Sequence, residues 1–334
     1  MILNDFLNLE PEDRSESILF VSHDVIIYQQ SNQIIAGSCG GDILSKTTAP
    51  VDCFKYEFLE FPESVLFIFN GERLILIDKN GIDPISTRLD PIRTGKVISK
   101  LFNGYGENSI IFATKQRDTI QFINYNFINN SKLAQTSSWK VNSLTDMCIT
   151  PDHILFAVLD GSRIICCDMK TGETLWTRFE TSTVGRGINV HNGELIYVCQ
   201  NMLKKFNGQT VTALNLSLSV NSIEHQDEWH IYATANEQKN VFCYHVSSNN
   251  IDWQIYGHKK IIDSIAVKNV YKSDILVTQS IDNIAFINLE SGQVEFNLRV
   301  PNLFRIRKTS DHIFLQKTTG NTILIAGQEN AKIN

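Results

Sequence analysis

The sequence predicts an all-β fold assembled from eight copies of one four-stranded antiparallel unit, and three observations carry that expectation. Short apolar runs recur at a nearly fixed period. Each run is followed, after a polar turn, by a second apolar run. Long helical periodicity is nearly absent.

The first runs begin at Val25 (VIIY), Val65 (VLFIF), Ile110 (IIFAT), Ile154 (ILFAV), Leu195 (LIYV), Ile231 (IYAT), Ile275 (ILVT) and Ile313 (IFLQ). They are separated by 40, 45, 44, 41, 36, 44 and 38 residues. Their hairpin partners are QIIAG, RLILID, TIQFIN, RIICCD, MLKKF, NVFCYHV, NIAFIN and TILIAG. Both sets are continuous rather than alternating, as in strands covered on both faces. Gly, Asn, Asp and Ser stand at the turns. This pattern predicts a β-propeller of four-stranded antiparallel blades, in which each blade covers the face of the next. A two-sheet sandwich needs no eight similar units, and a parallel β-helix has a shorter period.

A third element follows each hairpin. DMKTGETLW (168–176), NLESGQVEF (288–296) and HVSSNNIDW (245–253) all place a polar residue eight positions before an aromatic one: Asp168 before Trp176, Asn288 before Phe296 and His245 before Trp253. A short acceptor bonds the turn's own amides, Gly172 or an Asn accepts positive φ, and the aromatic packs between blades. DKNG (78–81) and FNGQ (206–209) read as shortened versions. The fourth element is the innermost strand: VNSLTDM (141–147), VNSIEHQ (220–226) and IDSIAVK (262–268), with GRGINVH (185–191) and FRIRKTS (304–310) fitting the same frame. In a propeller these strands line the central channel, and their first residues sit near its mouth.

Eight hairpins predict eight blades. The last hairpin leaves too few residues for an outer strand, so the apolar start ILNDFLNL (2–9) is expected to supply it and close the ring. Residues 1–334 are thus read as a single domain, with residues 1–17 as an N-terminal segment that carries the closing strand. Seven blades, with residues 1–50 irregular, is the alternative.

With Asp168, Gly172 and Trp176, DMKTGETLW resembles the repeat of quinoprotein-type (PQQ-like) propellers, whose turn reads Asp-x-x-Thr-Gly followed by Trp. YGHKKIIDSIAV (256–267) is similar instead to the Gly-His opening of a WD repeat, and the likeness extends to Ser280 and Asp282. That second resemblance implies that His258 takes part in a hydrogen-bonded chain with Ser280 and Asp282. The closing Trp-Asp dipeptide of WD repeats is missing from every unit. The quinoprotein resemblance implies a cofactor beside Ca²⁺ at the channel mouth of an exported enzyme. Against this stand one good copy of the motif and the absence of any export signal. The motif is therefore read as a blade-packing device, with no cofactor.

Composition narrows the function classes. Apolar residues make up 43% and charged residues 20% of the 334, with a net charge of −6. These values fit a folded soluble protein and argue against nucleic acid as the main partner. No apolar run reaches about 18 residues, so no membrane-inserted helix is expected. The N-terminus carries Asp5, Glu10, Glu12 and Asp13 and no basic n-region, so no secretory signal is expected. Seven cysteines (39, 53, 148, 166, 167, 199 and 243) form no C-x-x-C pair and read as free, buried thiols of a cytoplasmic protein.

The candidate chemistry is sparse. Of eight histidines, His225 and His230 are closest, in HQDEWH. Without zinc-ligand spacing this stretch is read as a solvated turn, and no metal site is assigned. His153, His230 and His312 precede strands and are expected to bond turn backbones. There is no G-x-S-x-G and no phosphate loop, and no carboxylate pair stands out. The expected role is a non-enzymatic protein–protein interaction module, such as an adaptor, an assembly subunit or an inhibitor or immunity-type binder, for another protein or a peptide. The alternative is an enzyme or small-ligand binder with its site at the channel mouth, quinoprotein-like or sugar-processing. The mouth candidates are Lys96, Asn142, Arg186, Asn221, Asp263 and Arg305. Arg186, between Gly185 and Gly187, is expected to have the least crowded backbone. Tyr105, Trp139 and Trp229 are the aromatic anchor candidates.

Overall fold

The structure, a computed structural model, describes residues 8–9, 17–22, 25–38, 42–49, 56–79, 85–88, 95–214, 216–237, 239–270, 273–309, 312–317 and 322–326. Among them all regular structure is strand, arranged in eight antiparallel sheets. Six of the sheets run four consecutive strands in simple up-and-down order. In chain order the sheets start at Ser17, Tyr56, Lys96, Leu144, Asn189, Val220, Asp263 and Leu303, and they are numbered 1 to 8 accordingly. Each hairpin read from the sequence forms the second and third strands of one sheet. RLILID, RIICCD, MLKKF and NIAFIN coincide with strands Arg73–Asp78, Arg163–Asp168, Met202–Phe206 and Asn283–Asn288. The N-terminal strand Asn8–Leu9 pairs antiparallel with Thr322–Ala326, Asn8 opposite Ile323 and Leu9 opposite Thr322. It is the fourth strand of sheet 8.

Sheet 3 departs from the pattern. Its two outer strands are each broken in two: Lys96–Val97 with Phe102–Asn103, and Ser131–Gln135 with Trp139–Lys140. A buried hydroxyl bridges each break. Ala113 N donates to Ser99 Oγ at 2.8 Å, and Phe122 N donates to Thr136 Oγ1 at 3.1 Å, so the inner strands keep their partners.

The chain divides into two compact units. One comprises residues 1–51, 77–84 and 224–334, and the other comprises residues 52–76 and 85–223. In the second unit, the continuous apolar runs are explained by their burial. Strand Ser109–Gln116 sends Ile110 and Phe112 to a cluster shared with Leu66, Ile68 and Leu74 of sheet 2, and Ile111 and Ala113 to one shared with Leu155, Ala157 and Leu159 of sheet 4. Strand Ile154–Leu159 sends Phe156 and Val158 onward to Leu195, Tyr197 and Cys199 of sheet 5. Successive side chains point to opposite faces, and both faces meet a neighbouring sheet. The adjacent cysteines follow the same rule: Cys167 faces sheet 3 and Cys166 faces sheet 5. In the first unit, Tyr232, Val241 and Cys243 of sheet 6 pack on Leu276, Ile287 and Leu289 of sheet 7. Val277 and Ile284 pack on Ile306, Ile313 and Leu315 of sheet 8. Each fully buried Leu, Ile or Phe in these layers contributes about 1.5–3 kcal/mol.

The repeated turn has the geometry that its sequence implies. Gly172 N donates to Asp168 O at 2.7 Å, Lys170 N donates to Asp168 Oδ1 at 2.7 Å, and Gly172 has φ 81°. Asn288 and Gly292 repeat this arrangement, and Asn249 with φ 56° takes the glycine place in the His245 turn. A bulge between the third and fourth strands follows in sheets 1, 3, 4, 6 and 7. In sheets 4, 6 and 7 the residue left out of register is Leu175, Asp252 and Glu295, one before Trp176, Trp253 and Phe296. The bulge turns the aromatic toward the next sheet. Trp176 meets Phe206 edge-on at 4.9 Å, and Trp253 Nε1 donates to Leu289 O at 3.0 Å.

Five described cysteines, 148, 166, 167, 199 and 243, are free; Cys39, Cys53 and His23 lie outside the described residues, as does the side chain of His312.

Candidate interaction surface

Each sheet has two ends. One carries the start of the first strand and the turn between the second and third strands; the other carries the first-to-second and third-to-fourth turns. The six mouth candidates all fall on the first kind of end. Lys96 and Asp263 open the first strands of sheets 3 and 7, and Asn221 and Arg305 are the second and third residues of the first strands of sheets 6 and 8. Asn142 and Arg186 immediately precede sheets 4 and 5. Lys96 and Asn142 are exposed, and the other four are half-buried.

One expectation about these residues needs correction. The backbone around Arg186 is crowded, not open. A Cβ on Gly185 would stand 2.5 Å from Asn221 O, and one on Gly187, at φ 89°, would stand 1.9 Å from Ile223 O. The two glycines are there because strand Val220–Gln226 lies against them, with Ile223 N donating to Arg186 O at 2.9 Å. The carboxylate of Asp146 adds to this junction, accepting from Gly187 N at 2.5 Å and Ile188 N at 3.2 Å. The three aromatic anchor candidates stand in different settings. Tyr105 and Trp229 lie between first and second strands, at the opposite end of their own sheets. Both are about half exposed, and Lys170 Nζ stands 5.2 Å over the Tyr105 ring. Trp139, partly buried, packs edge-on against Phe122 at 5.7 Å and against the core shared by sheets 3 and 4.

His258 also differs from expectation. Its Nδ1 lies 2.8 Å from Lys259 O and its Nε2 lies 3.4 Å from Thr278 Oγ1. Ser280 Oγ donates instead to Asn283 O at 3.2 Å, and Asp282 stands exposed in the turn. The chain from His258 therefore ends at the second strand of sheet 7.

Sequence reasoning missed what surrounds this turn. Ile281 is 77% exposed and Tyr256 74%, and Ile262 (49%) and Phe304 (46%) are also exposed. All four lie at one end of sheets 7 and 8. Ile262 N donates to Gln279 O at 2.8 Å, Gln279 Nε2 donates to Phe304 O at 3.2 Å, and Tyr256 shares a pocket of about 330 Å³ with Ser280 and Asn283. The rim is charged. Lys259 Nζ donates to Asn283 Oδ1 at 2.8 Å, Lys260 is exposed, and Arg305 stacks at 4.6 Å over the Phe304 ring, with Asp263 and Asp282 nearby. The available signal was IYGHKKII, an apolar–basic–apolar stretch in a link rather than a strand.

The opposite end of sheets 6 and 7 holds a polar pocket of about 400 Å³ lined by His225, Asp227, His230, Tyr232, Cys243, Asp252, Lys268 and Asp274, among others. HQDEWH is thus not merely a solvated turn. Asp227 Oδ1 accepts from the amides of Trp229 and His230, both at 2.8 Å, and lies 3.1 Å from His230 Nδ1. The partner of His230 is a carboxylate, not the turn backbone. Tyr232 donates to Asp227 Oδ2 at 2.9 Å, and His225 stacks on the Tyr232 ring. Burial, with the Asp252 and Asp227 charges, pushes the Cys243 thiol up to about 12. Burial likewise raises Cys166 to about 12 and Cys167 to about 11.

No protein-family model matches the chain, and no curated protein matches it in sequence. Solved structures do match in fold. BamB from Moraxella catarrhalis, a quinoprotein-like propeller, is 13% identical, with 93% of this chain and 98% of that one covered and a TM-score of 0.64. Saccharomyces cerevisiae Sqt1 is 11% identical over 97% and 98%, with a TM-score of 0.65. The C-terminal WD40 domain of Sif2 is 10% identical over 94% and 95%, with a TM-score of 0.66. The fold is a β-propeller resembling both quinoprotein-type and WD-repeat propellers. In all, 1403 solved chains match, so the fold alone does not select a function. Among the described residues no helix is long and apolar enough to cross a membrane.

Proposed function

We propose that the chain is a non-enzymatic protein–protein interaction module that engages its partner through the first-strand end of sheets 7 and 8. One observation carries this reading: Tyr256, Ile262, Ile281 and Phe304 are all exposed, in segments that adjoin residues 279–283. Two of them are about three-quarters exposed, which disfavours a role in packing, and large apolar groups gathered on one surface mark interaction sites. The rim supplies Lys259, Lys260 and Arg305 against Asp263 and Asp282, an excess of positive charge. The partner chemistry that fits is a protein with an apolar centre and an acidic border. Asp263 and Arg305, two of the six mouth candidates, belong to this surface; Lys96, Asn142, Arg186 and Asn221 stand at the equivalent ends of sheets 3, 4, 5 and 6, and residues 1–334 are proposed as a single propeller domain. The adaptor, assembly-subunit and inhibitor roles all use such a surface.

The non-enzymatic part draws support from the thiols. Burial raises all five described cysteines above their ordinary range, whereas a nucleophilic cysteine needs the reverse. Free cysteines, four of the five described ones buried, also fit a reducing compartment and support a cytoplasmic setting.

Affinity purification from the native cell with quantitative mass spectrometry tests the reading. The wild-type chain is expected to retain a near-stoichiometric protein that Ile281→Asp with Tyr256→Ala, and separately Arg305→Glu, release. Absence of such a partner, or its equal retention by the variants, overturns the proposal.

A further inference from the structure

We infer that the pocket between sheets 6 and 7 is a zinc site, with His230, Cys243 and Asp252 as ligands and Asp227 as the outer partner of the histidine. A His nitrogen, the Cys sulfur and a carboxylate oxygen from these three residues all lie within 4.8 Å of one another. His230 Nε2 and Asp252 Oδ2 are 3.4 Å apart. Tetrahedral zinc, with Zn–N about 2.0 Å and Zn–S about 2.3 Å, asks for ligand atoms roughly 3.3–3.8 Å apart. Small side-chain rotations close the remaining gap.

The register of sheet 6 explains why these residues meet. His230 pairs with His245 and Tyr232 with Cys243, and Cys243 pairs in turn with Trp253. Residues two apart share a face, so His230, Tyr232 and Cys243 look the same way. Asp252 would face the other side in a regular strand. It is the residue that the bulge leaves out of register, which lets its carboxylate join the same face. The bulge serves packing in sheets 4 and 7, where Leu175 and Glu295 hold that place. Only in sheet 6 of these three does it deliver a carboxylate beside a His and a Cys.

The donor set selects the metal class. Imidazole nitrogen with thiolate sulfur favours zinc over the oxygen-seeking calcium and magnesium. His230 uses Nε2 toward the cluster while its Nδ1 stands 3.1 Å from Asp227 Oδ1, the carboxylate–histidine arrangement that fixes tautomer and ring direction in zinc sites. Cys243 is buried, His230 is half-buried and the Asp252 side chain is 39% exposed at the pocket opening. Three protein ligands with an open fourth side leave room for water or a partner's donor group.

The competing explanation is a histidine held between two carboxylates as a plain ion pair, which binds no metal. The test uses the full-length chain, reduced and stripped of metal, titrated with Zn²⁺ against a chromophoric chelator and separately with Co²⁺. One equivalent of metal is expected, with tetrahedral Co²⁺ bands and a thiolate-to-cobalt band in the near ultraviolet. Cys243→Ser is expected to remove the thiolate band. Asp252→Asn changes a residue at the surface and is expected to keep the fold by circular dichroism. It should weaken zinc binding at least tenfold, and Asp227→Asn should weaken it 10–100-fold. A thiolate band that survives Cys243→Ser, or zinc binding equal in wild type and Asp252→Asn, overturns the inference, as does the absence of binding in the wild type.

Discussion

Replacing Glu180 with alanine removes the shared acceptor of a buried network at the junction of sheets 4 and 5. Its carboxylate accepts from Tyr197 Oη at 2.7 Å, Arg178 Nε at 2.8 Å, Lys204 Nζ at 3.1 Å and Cys199 Sγ at 3.4 Å. The side chains of Glu180 and Lys204 are 4% and 10% exposed, whereas that of Arg178 is 34% exposed. Burial pushes the Glu180 carboxyl up, but the hydrogen bonds from Arg178, Tyr197 and Lys204 outweigh it and hold it at about 2, against an ordinary 4.5. At about 1.36 kcal/mol per pH unit, that difference is worth roughly 3 kcal/mol of stability. The folded value is depressed, so this stability is fully present above pH 4.5 and is lost as pH falls toward 2. Glu180→Ala leaves the Lys204 ammonium and the Tyr197 hydroxyl buried without their acceptor. The expected cost at pH 7 is about 3–5 kcal/mol, read from denaturant midpoints. Glu180→Gln should flatten the decline in stability between pH 4.5 and 2 relative to wild type. A loss below about 1 kcal/mol for Glu180→Ala, or an unchanged acid slope in Glu180→Gln, would refute the reasoning.

Three further outcomes are expected. Gly292→Ala should cost about 2–5 kcal/mol, because its φ is 72° and the new Cβ would meet Trp253 at 2.5 Å. Gly208→Ala, at φ 93° with nothing within 4 Å, should cost only about 1–2 kcal/mol by the same denaturation assay. Burial, helped by Lys308 and Lys268 against the pull of Asp227, holds the His225 imidazole below its ordinary 6.5. The unfolded chain therefore takes up this proton first, so stability should fall as pH drops below about 6.5, and His225→Gln should remove that part of the slope in urea titrations at stepped pH. Ile281→Asp with Tyr256→Ala should change unfolding free energy by less than about 0.5 kcal/mol per site, since both side chains are in solvent; a melting shift beyond that would mean they pack in the fold.

The fold was legible because inner strands such as Ser109–Gln116 and Ile154–Leu159 are covered on both faces. That burial writes an uninterrupted apolar run such as IIFAT or ILFAV, and eight such runs at a steady spacing admit few architectures. The pairing of the apolar start with Thr322–Ala326 was legible because the eighth hairpin lacked a fourth strand of its own. The site was less so. The exposed apolar residues at the first-strand end of sheets 7 and 8 come from a link, a turn and a strand start, positions where no periodicity marks a side chain as exposed. Gly185 and Gly187 looked like open backbone, and only the adjoining strand shows that they are spacers for close approach. In HQDEWH the sequence offered His225, Asp227 and His230. Cys243 and Asp252 come from the two following strands, and Asp252 turns inward through a bulge that no residue spacing reveals. Glu180 lay in an ordinary-looking FETS, and its burial is set by three residues of the next sheet.

The central claim, that the first-strand end of sheets 7 and 8 is the binding surface, is tested most directly by hydrogen exchange of the chain alone and in its purified complex. Amides at residues 256–262, 280–283 and 302–305 should gain protection on binding, while the turns at 227–229 and 246–249 keep their free rates. Protection confined to those latter turns, or absent from the former, would contradict the account.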